Sequence, residues 1–554
     1  MSCGRKRAAA EAPEKVGNMK RADCMHRGWG AWRGFRRVDL GSRLALATLL
    51  TILSAPAAWA AAPAGASCES LATLSLPRTT ITLAQSLSAG SFTPPTPSGA
   101  HPGRPLQDLP GFCRVAATAS PTADSVIKFE VWLPAANWNG KFQGVGNGGW
   151  AGTISYNEMA LALRRGYAVA STDTGHEGTG GDASFAFGHP EKLVDFAERS
   201  VHEMTVQAKA LIAAFYGQAP RYSYWNGCST GGRQGLMEAQ RYPRDYNGIA
   251  AGAPANYWTH LMFATLWPAK ADLIDPASYI PPSKYELIHQ AAFAACDALD
   301  GVADHIITDP TRCHFDPGVL TCKGADTVDC LTAPQVKAAR MIYAGPTNPR
   351  TKKQIFPGLE PGSESGWQAE AGGPQPFPIP QSYFQYVVFK NPQWDFRTLS
   401  YDRDVALADK ADHGLLNAIN PHLKAFRDSG GKLLLYHGWI DNLIAPRASV
   451  NYYQSVVTTM GGRQQTDDFF RLFMVPGMGH CGGGPGPSDF DRVRVIEQWV
   501  EQGVAPDKIV ATRNNKDLPR MTRPLCPYPE VPQWKGSGST FDAANFVCVM
   551  KEKQ

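Results

Sequence analysis

A serine lies at the centre of a glycine-flanked turn, and the segments on either side of it predict a strand and a helix. The five residues from Gly227 to Gly231 read Gly-Cys-Ser-Thr-Gly, a G-x-S-x-G element centred on Ser229. Residues 221–226 are rich in β-formers, and residues 231–242 have a helical pattern that stops before a proline. A serine on such a tight turn is held out at the top of a sheet, and the turn needs small neighbours. The bare pattern also fits an ordinary loop, but its flanks favour an exposed nucleophile.

Strand and helix patterns alternate on both sides of this element, which predicts an α/β fold with a parallel sheet covered by helices. Strands are predicted at 127–133, 141–145, 167–171, 221–226, 248–252, 432–436 and 470–475. Residues 86–111 are rich in Ser, Pro and Gly and are interpreted as irregular surface.

The alternation stops between about residues 254 and 415, where Pro, Gly, aromatic residues and four cysteines are frequent. We therefore expect residues 61–254 to form the first part of the core, 255–415 an inserted lid domain, and 416–554 the second part of the core. A lid over the carboxyl edge of the sheet would cover the place where open α/β sheets bind ligands.

The first 60 residues are predicted to be a signal peptide with a long basic n-region. Residues 1–43 hold 11 Lys/Arg and 4 Asp/Glu, so the excess behind the formal charge of +5 lies there, and no later basic tract indicates a nucleic-acid partner. An apolar run at 44–53 precedes Ala58-Trp59-Ala60, an A-x-A cleavage site. The alternative is a membrane anchor, but the run is too short to span a bilayer. We expect a secreted or periplasmic protein with no stable membrane anchor after cleavage.

Ten cysteines follow the predicted leader, and an even number in an exported chain indicates a disulfide framework. The order along the chain suggests these pairs: Cys68–Cys113, Cys296–Cys313, Cys322–Cys330 and Cys526–Cys548, which leaves Cys228 for Cys481. Order alone does not prove this connectivity. Metal binding is the rival use of cysteine, but no C-x-x-C pair occurs, which disfavours a zinc site.

Two strands near the C-terminus lead into candidate partners for the serine. The strand at 432–436 is followed by Asp441, and the strand at 470–475 is followed by His480. The order Ser229, Asp441, His480 is that of the α/β-hydrolase triad, in which the histidine takes the serine proton and the aspartate orients the imidazole. An aspartate after a strand is also a common turn residue, and His437 is a rival polar residue nearby.

A glycine run at residues 146–149 follows the strand that normally supplies the second oxyanion amide. We assign the two oxyanion donors to the backbone N–H groups of Thr230 and Gly148, with Gly149 close behind. The alternative is an ordinary flexible turn.

An acidic run in the insertion predicts a structural calcium site remote from the triad. Three carboxylates lie within eight residues around a glycine, and backbone carbonyls would complete an oxygen shell. The proposed ligands are Asp297, Asp300, Val302, Asp304 and Ile306. The spacing is not that of an EF-hand, and the alternative interpretation is a solvated acidic loop.

Taken together, Cys228-Ser229, Asp441 and His480-Cys481 resemble the CS-D-HC arrangement of the tannase and feruloyl esterase family. The acidic run is similar to the calcium loop in that family's lid, and the resemblance extends from about Cys68 to Cys548. It implies an α/β-hydrolase core with a large inserted lid domain, and hydrolysis of esters of aromatic acids. The family includes a mono(2-hydroxyethyl) terephthalate hydrolase with a substrate-binding lid arginine, for which Arg397 is not a match.

The favoured function is that of a secreted serine esterase of the feruloyl esterase type, which cleaves hydroxycinnamate esters through an acyl-enzyme. Its substrate would be a small aromatic ester or an ester of a plant polymer. Alternatives are a tannase-type galloyl ester hydrolase, a mono(2-hydroxyethyl) terephthalate hydrolase, and a non-catalytic binding protein, which the intact Ser, Asp and His set argues against. Aromatic residues of the insertion either contact substrate or form its core: Tyr257, Trp258, Trp267, Tyr383, Phe384, Tyr386, Phe389 and Trp394.

Overall fold

The computed structural model describes residues 65–95, 104–515 and 517–550. The predicted signal peptide, residues 1–60, therefore lies outside the described residues. Within the described ranges, no helix combines the length and the apolar character that crossing a membrane would need.

The strands of the described residues are numbered in chain order. They are β1 Thr79–Leu87, β2 Gly90–Phe92, β3 Leu106–Leu109, β4 Phe112–Ala119, β5 Ile127–Pro134, β6 Lys141–Val145, β7 Ala168–Thr172, β8 Tyr222–Cys228, β9 Gly248–Gly252, β10 Lys432–Gly438, β11 Phe470–Val475, β12 Ile509–Arg513, β13 Met521–Leu525, β14 Glu530–Trp534 and β15 Phe546–Met550. Nine of them form one sheet in the order β1-β4-β5-β7-β6-β8-β9-β10-β11.

This central sheet is mixed, whereas the sequence predicts a parallel one. The six strands from β7 to β11 in the sheet order pair in parallel, and the arm made by β1, β4, β5 and β7 is antiparallel. The link from β4 to β5 is only residues 120–126, too short for the helical crossover that parallel neighbours require. The fold class is nevertheless α/β, as predicted, with helices on both faces of the sheet.

The parallel strands are buried on both faces, which explains their continuous apolar sequences. In β10, Leu433 and Leu435 join one apolar cluster, while Leu434 and Tyr436 join the cluster on the opposite face. Helices α3, α4 and α12 cover the first face, and α1 and α14 cover the second.

The α-helices of the described residues are also numbered in chain order. They are α1 Tyr156–Arg164, α2 Pro190–Val194, α3 Ser200–Tyr216, α4 Thr230–Arg241, α5 Trp258–Asp272, α6 Tyr285–Cys296, α7 Ala333–Ala344, α8 Gln368–Ala371, α9 Pro378–Ser382, α10 Asp404–Asp412, α11 Lys424–Asp428, α12 Arg447–Thr459, α13 Arg463–Asp467 and α14 Arg492–Gln502. Helices α5 to α10 all lie between β9 and β10. The apolar residues of this segment form a third cluster, which also includes Trp150, Phe196 and Ala448 from outside it.

Residues 86–111 differ from the predicted irregular surface, because β2 and β3 lie within them and pair antiparallel. These strands are short and contain Gly, Ser and Asp, so their sequences carry no strand-length apolar alternation.

Five disulfides occur in the described residues, and they are the five that the order of cysteines suggests. They are Cys68–Cys113, Cys228–Cys481, Cys296–Cys313, Cys322–Cys330 and Cys526–Cys548. Four close loops of 45 residues or fewer, and Cys228–Cys481 spans 253.

Candidate active site

Ser229 occupies a strained turn between β8 and α4. Its backbone has φ 62° and ψ −122°, a conformation that a non-glycine residue adopts only when its surroundings enforce it. The enforcing contacts are backbone hydrogen bonds: the Ser229 N–H donates to Gly252 O at 3.0 Å, and Ser229 O accepts from Arg233 at 3.0 Å and Ala255 at 3.1 Å. The side chain is thereby held at the carboxyl edge of the sheet, partly exposed.

The glycines of the G-x-S-x-G element are required by close backbone approach. A Cβ atom on Gly227 would lie 2.6 Å from the carbonyl group of Gly231. A Cβ atom on Gly231 would lie 3.1 Å from Gly146, which belongs to the neighbouring glycine run. The turn can therefore pack against that run only if these positions lack side chains.

Asp441 and His480 meet at the same edge of the sheet, after β10 and β11. Nδ1 of His480 lies 2.8 Å from Oδ2 of Asp441, and the Asp441 carboxylate is fully buried. The hydrogen bond places the imidazole hydrogen on Nδ1, which leaves Nε2 as the proton acceptor. Within the described chain, Ser229 Oγ makes no hydrogen bond to His480, and such contacts are often long before substrate binds.

The two groups shift each other's pKa in opposite directions. Burial raises the pKa of Asp441, but the charge of His480 and hydrogen bonds from His437 and His480 outweigh it and hold this pKa well below its usual range. Burial lowers the pKa of His480, but the charge and hydrogen bond of Asp441 raise it by more. The pair is therefore built to keep the carboxylate ionised and to stabilise the imidazolium.

A disulfide joins the residues beside the serine and the histidine. Cys228 precedes Ser229, Cys481 follows His480, and their Cα atoms are 5.9 Å apart. This bond fixes the end of β8 relative to the loop after β11, which are separated in the sheet by β9 and β10.

The backbone N–H groups of Thr230 and Gly148 have no hydrogen-bond partner in the described chain. Thr230 directly follows Ser229, and Gly148 lines a pocket together with Cys228, the residue before the serine. The glycine run is rigidly held: Asn147 N–H donates to Gln234 Oε1 at 3.1 Å, and Gln234 Nε2 donates back to Asn147 Oδ1 at 3.0 Å. Gly231 N–H also donates to Asn147 O at 2.8 Å. Unpaired amides on a fixed loop are the arrangement that stabilises an oxyanion.

Sequence reasoning missed the two hydrogen bonds between Asn147 and Gln234, which are 87 residues apart. It named His437 only as a rival to Asp441, whereas the structure places His437 against Asp441, with Nε2 3.0 Å from Oδ2. No linear pattern indicates this contact, because a spacing of four residues predicts neighbouring side chains in a helix and His437 belongs to strand β10.

The aromatic residues of the insertion mostly form its own core. Trp258, Tyr383 and Phe384 are at most 1% exposed and pack in the apolar cluster of the insertion, while Tyr257 and Tyr386 are only partly buried. Arg397 pairs with Asp395 at 3.0 Å, and both side chains are exposed.

The predicted calcium ligands lie in the loop after α6 and supply only oxygen donors. Oδ1 of Asp304 is buried and has no hydrogen-bond partner in the described chain. Burial raises the pKa of Asp300 and of Asp304, and the neighbouring acidic groups raise both further. A partly buried set of hard oxygen donors with one unsatisfied carboxylate oxygen has the donor chemistry of a calcium site.

These carboxylates also have partners of their own in the structure. Asp297 accepts the backbone N–H groups of His305 at 3.0 Å and Ile306 at 3.1 Å. The other oxygen of Asp304 accepts a hydrogen bond from the buried Arg523 at 2.5 Å. The present contacts therefore hold the loop together through its acidic groups.

A second group of metal-ligand type lies elsewhere in the insertion. Among the described residues, it is the one group of three whose ligand atoms lie within 4.8 Å of one another, and it consists of Cys322, Asp326 and Cys330. Its two cysteines are bonded to each other, and disulfide sulfurs lack the thiolate charge that binds metals.

Comparisons with known proteins agree with this geometry. The family model described as tannase and feruloyl esterase matches residues 113–549. The chain is 41% identical over 560 residues to an uncharacterized esterase of Xanthomonas campestris pv. campestris, covering 93% of this chain and 95% of that protein. It is 35% identical over 462 residues to a probable feruloyl esterase B-1 of Aspergillus flavus, covering 79% and 86%.

Among solved structures, that of feruloyl esterase B from Aspergillus oryzae superposes with a TM-score of 0.82 at 31% identity, covering 87% of this chain and 99% of the other. The match therefore includes both the sheet and the insertion. On the family match and these relatives, the chain belongs to the tannase and feruloyl esterase family of carboxylic ester hydrolases.

Proposed function

We propose that this chain hydrolyses esters of hydroxycinnamic acids, with Ser229, His480 and Asp441 as its catalytic residues. The observation that carries the proposal is the hydrogen bond between Asp441 and His480. A disulfide joins Cys481, which follows His480, to Cys228, which precedes Ser229 in its strained turn. The relatives named feruloyl esterase favour this acyl group within the family.

In the proposed reaction, Ser229 Oγ attacks the ester carbonyl carbon while its proton passes to Nε2 of His480. The N–H groups of Thr230 and Gly148 stabilise the oxyanion. The C–O bond to the alcohol breaks, and His480 returns the proton to the leaving oxygen. Water then attacks the acyl ester on Ser229, with His480 again accepting a proton. The bond between the acyl carbon and Ser229 Oγ breaks, His480 returns the proton to Oγ, and the free acid leaves.

The insertion at residues 255–415 is proposed to act as a lid, with the core formed by residues 61–254 and 416–554. It begins directly after β9, at the carboxyl edge of the sheet that holds the triad, and it ends before β10. A lid in this place would surround the aromatic acyl group and exclude water during acyl transfer.

The substrate class is tested with methyl ferulate, methyl gallate and mono(2-hydroxyethyl) terephthalate. We expect the highest kcat/KM with methyl ferulate, and preference for either of the other esters would assign the chain to a different activity of the family. Ser229→Ala should abolish turnover of all three without changing the circular dichroism spectrum, because the triad acts as a unit. Wild-type turnover by this variant would exclude the proposed nucleophile.

Calcium is proposed to bind the loop of Asp297, Asp300 and Asp304, together with the carbonyl groups of Val302 and Ile306. The ion would supply positive charge to a half-buried acidic loop and take no part in the chemistry at Ser229. The unsatisfied oxygen of Asp304 supports this proposal.

Export is proposed from residues 1–60, which carry the predicted signal peptide. Five disulfides support an oxidising compartment, because such bonds persist outside the cytosol. We propose that the mature protein is secreted or periplasmic.

A further inference from the structure

A second histidine lies directly against the candidate catalytic aspartate. His437 is near the end of β10, and its side chain is fully buried, as is that of Asp441. Its Nε2 atom lies 3.0 Å from Asp441 Oδ2 and 3.0 Å from Ile444 O, and its Nδ1 atom lies 2.7 Å from Ser449 Oγ. The ring thus has polar partners at both nitrogens without any contact with solvent.

These partners determine where the hydrogen of the His437 ring lies. Nε2 faces a carboxylate oxygen and a carbonyl oxygen, and neither of them can donate, so Nε2 carries the hydrogen. Nδ1 shares a hydrogen with the hydroxyl group of Ser449, so both ring nitrogens have a hydrogen-bond partner. The opposite tautomer would aim a nitrogen lone pair at two oxygen atoms.

The consequence for Asp441 is that four N–H groups surround its carboxylate. Oδ2 accepts from His437 Nε2 and from His480 Nδ1, and Oδ1 accepts the backbone N–H groups of Leu443 and Ile444, each at 2.9 Å. Rotation of the carboxylate would break hydrogen bonds at both oxygens. The plane of the Asp441 carboxylate is therefore fixed even without its hydrogen bond to His480.

We propose that His437 is a positioning residue for ester hydrolysis, whose Nε2–H holds Asp441 Oδ2 where His480 needs it. The inference rests on the proposed function, since it assigns His437 a role only through the triad. His437 is fully buried beneath Asp441 and acts on the reaction through that carboxylate.

Glu370 of α8 is a further acidic group that bears on this pair: it is buried, and burial together with the charge of Asp441 raises its pKa well above the usual value. Oδ2 of Asp441 is shared between the imidazole N–H groups of His437 and His480. Removing the hydrogen bond from His437 leaves more negative charge for His480, whose pKa must then rise.

The test is a matched pair of amide substitutions at position 437. His437→Gln places its amide nitrogen near the position of Nε2 and keeps a donor to Asp441. His437→Asn is too short to reach Asp441, but it can still accept a hydrogen bond from Ser449. Steady-state kinetics with methyl ferulate are measured as a function of pH, and each rate is divided by the concentration of folded protein. Ser229→Ala is assayed in parallel.

We expect His437→Asn to lose kcat by roughly 10- to 100-fold, the effect of one hydrogen bond to a charged group. KM should change by less than about twofold, because His437 makes no contact that would stabilise the bound substrate and the transition state equally. The acid limb of the pH profile should move up by about 0.5 pH unit or more. His437→Gln should restore most of kcat and the wild-type acid limb.

An unmoved acid limb in folded His437→Asn, or equal losses in the two variants, would overturn the inference while leaving the triad in place. Wild-type turnover by Ser229→Ala would instead reject the proposed function itself. If His437→Asn does not fold, ¹⁵N-histidine spectra of the wild-type protein decide, with His437→Gln used for assignment. A His437 ring with a hydrogen on Nε2 supports the inference, and a ring with its hydrogen on Nδ1 alone overturns it.

Discussion

At the scale of single residues, the pH dependence of activity should follow the contact between Asp441 and His480. His480 accepts a proton only when it is neutral, and Asp441 raises its pKa, so activity should rise with pH through a pKa above the ordinary value of histidine. Asp441→Asn should reduce kcat by about 10³- to 10⁴-fold and move the acid limb to lower pH. The pH profile of kcat/KM measures both effects, and an upward shift would contradict the assignment.

Another residue-scale prediction concerns stability and Asp173, which follows β7. Burial raises the pKa of its carboxyl to about 8, while Oδ1 accepts the backbone N–H groups of Lys128 at 3.0 Å and Gly175 at 2.8 Å. The folded state therefore holds a proton that the unfolded chain releases near pH 4, so stability falls as pH rises from about 4 to 8. The carbonyl oxygen of an asparagine can keep both hydrogen bonds.

Asp173→Asn should accordingly raise the free energy of unfolding by at least about 1 kcal/mol at pH 8, with the two proteins converging near pH 4. Denaturant unfolding at several pH values is the measurement. A difference that stays constant with pH would show that Asp173 is ionised in the folded protein.

Sequence reasoning identified the candidate triad because each member follows a predicted strand, and strand ends meet at one edge of a sheet. It did not identify the roles of His437 and Ser449. Their side chains point into the core between β10 and α12, and neither belongs to a motif. Inward hydrogen bonds of this kind depend on packing that a linear pattern does not encode.

At the scale of elements, the bond between Cys228 and Cys481 should affect rate more than any other disulfide. The chain-entropy model assigns a bond across 253 residues about 5 kcal/mol, an upper value since measured effects are often smaller. Displacement of about 1 Å in a catalytic group can cost on the order of 100-fold in rate. The double substitution Cys228→Ala/Cys481→Ala should therefore lose activity at temperatures where circular dichroism still reports a folded protein.

The matched control is Cys526→Ala/Cys548→Ala, which removes the bond between the residue that follows β13 and the middle residue of β15. That bond spans 22 residues, and neither cysteine adjoins Ser229 or His480 in sequence. This variant should lose thermal stability and keep wild-type kcat at low temperature. Equal losses of kcat in the two double variants would contradict a special role for the disulfide between Cys228 and Cys481.

The parallel strands and their helices were predictable because a segment buried on both faces is apolar throughout. Strands 141–145, 248–252 and 470–475 have the same bounds in the sequence prediction and in the structure. Strand direction was not predictable for the antiparallel arm, since an apolar pattern does not encode which neighbour a strand will pair with. The edge strand β1 was missed because its exposed positions dilute the pattern. The sequence also did not predict β4, which lies between β1 and β5 in the sheet.

At the scale of the whole molecule, calcium should contribute to thermal stability and not to chemistry. We expect a chelator to lower Tm and to leave kcat at low temperature unchanged, because an ion that binds only the folded state stabilises it by mass action. At a calcium concentration 100 times Kd the effect is about 2.7 kcal/mol. Asp300→Asn should reduce the calcium dependence of Tm, and Asp395→Asn, at an exposed ion pair, is the control.

Metal analysis of protein purified in the presence of calcium is the direct measurement. One bound calcium per chain is the expected result, and none would reject the calcium proposal. The loop would then be an acidic turn stabilised by Arg523 and its own backbone N–H groups.

The 253-residue span of the Cys228–Cys481 bond also determines the order in which the protein can be assembled. As the chain is synthesised, Cys228 emerges long before its partner, and all four cysteines of the insertion emerge in between. Cys296, Cys313, Cys322 and Cys330 can close their short loops early, while Cys228 has to remain unpaired or exchange out of a wrong pair. Completion of the region around Ser229 therefore awaits the synthesis of Cys481, and a thiol–disulfide isomerase should speed the appearance of activity more than the appearance of helix.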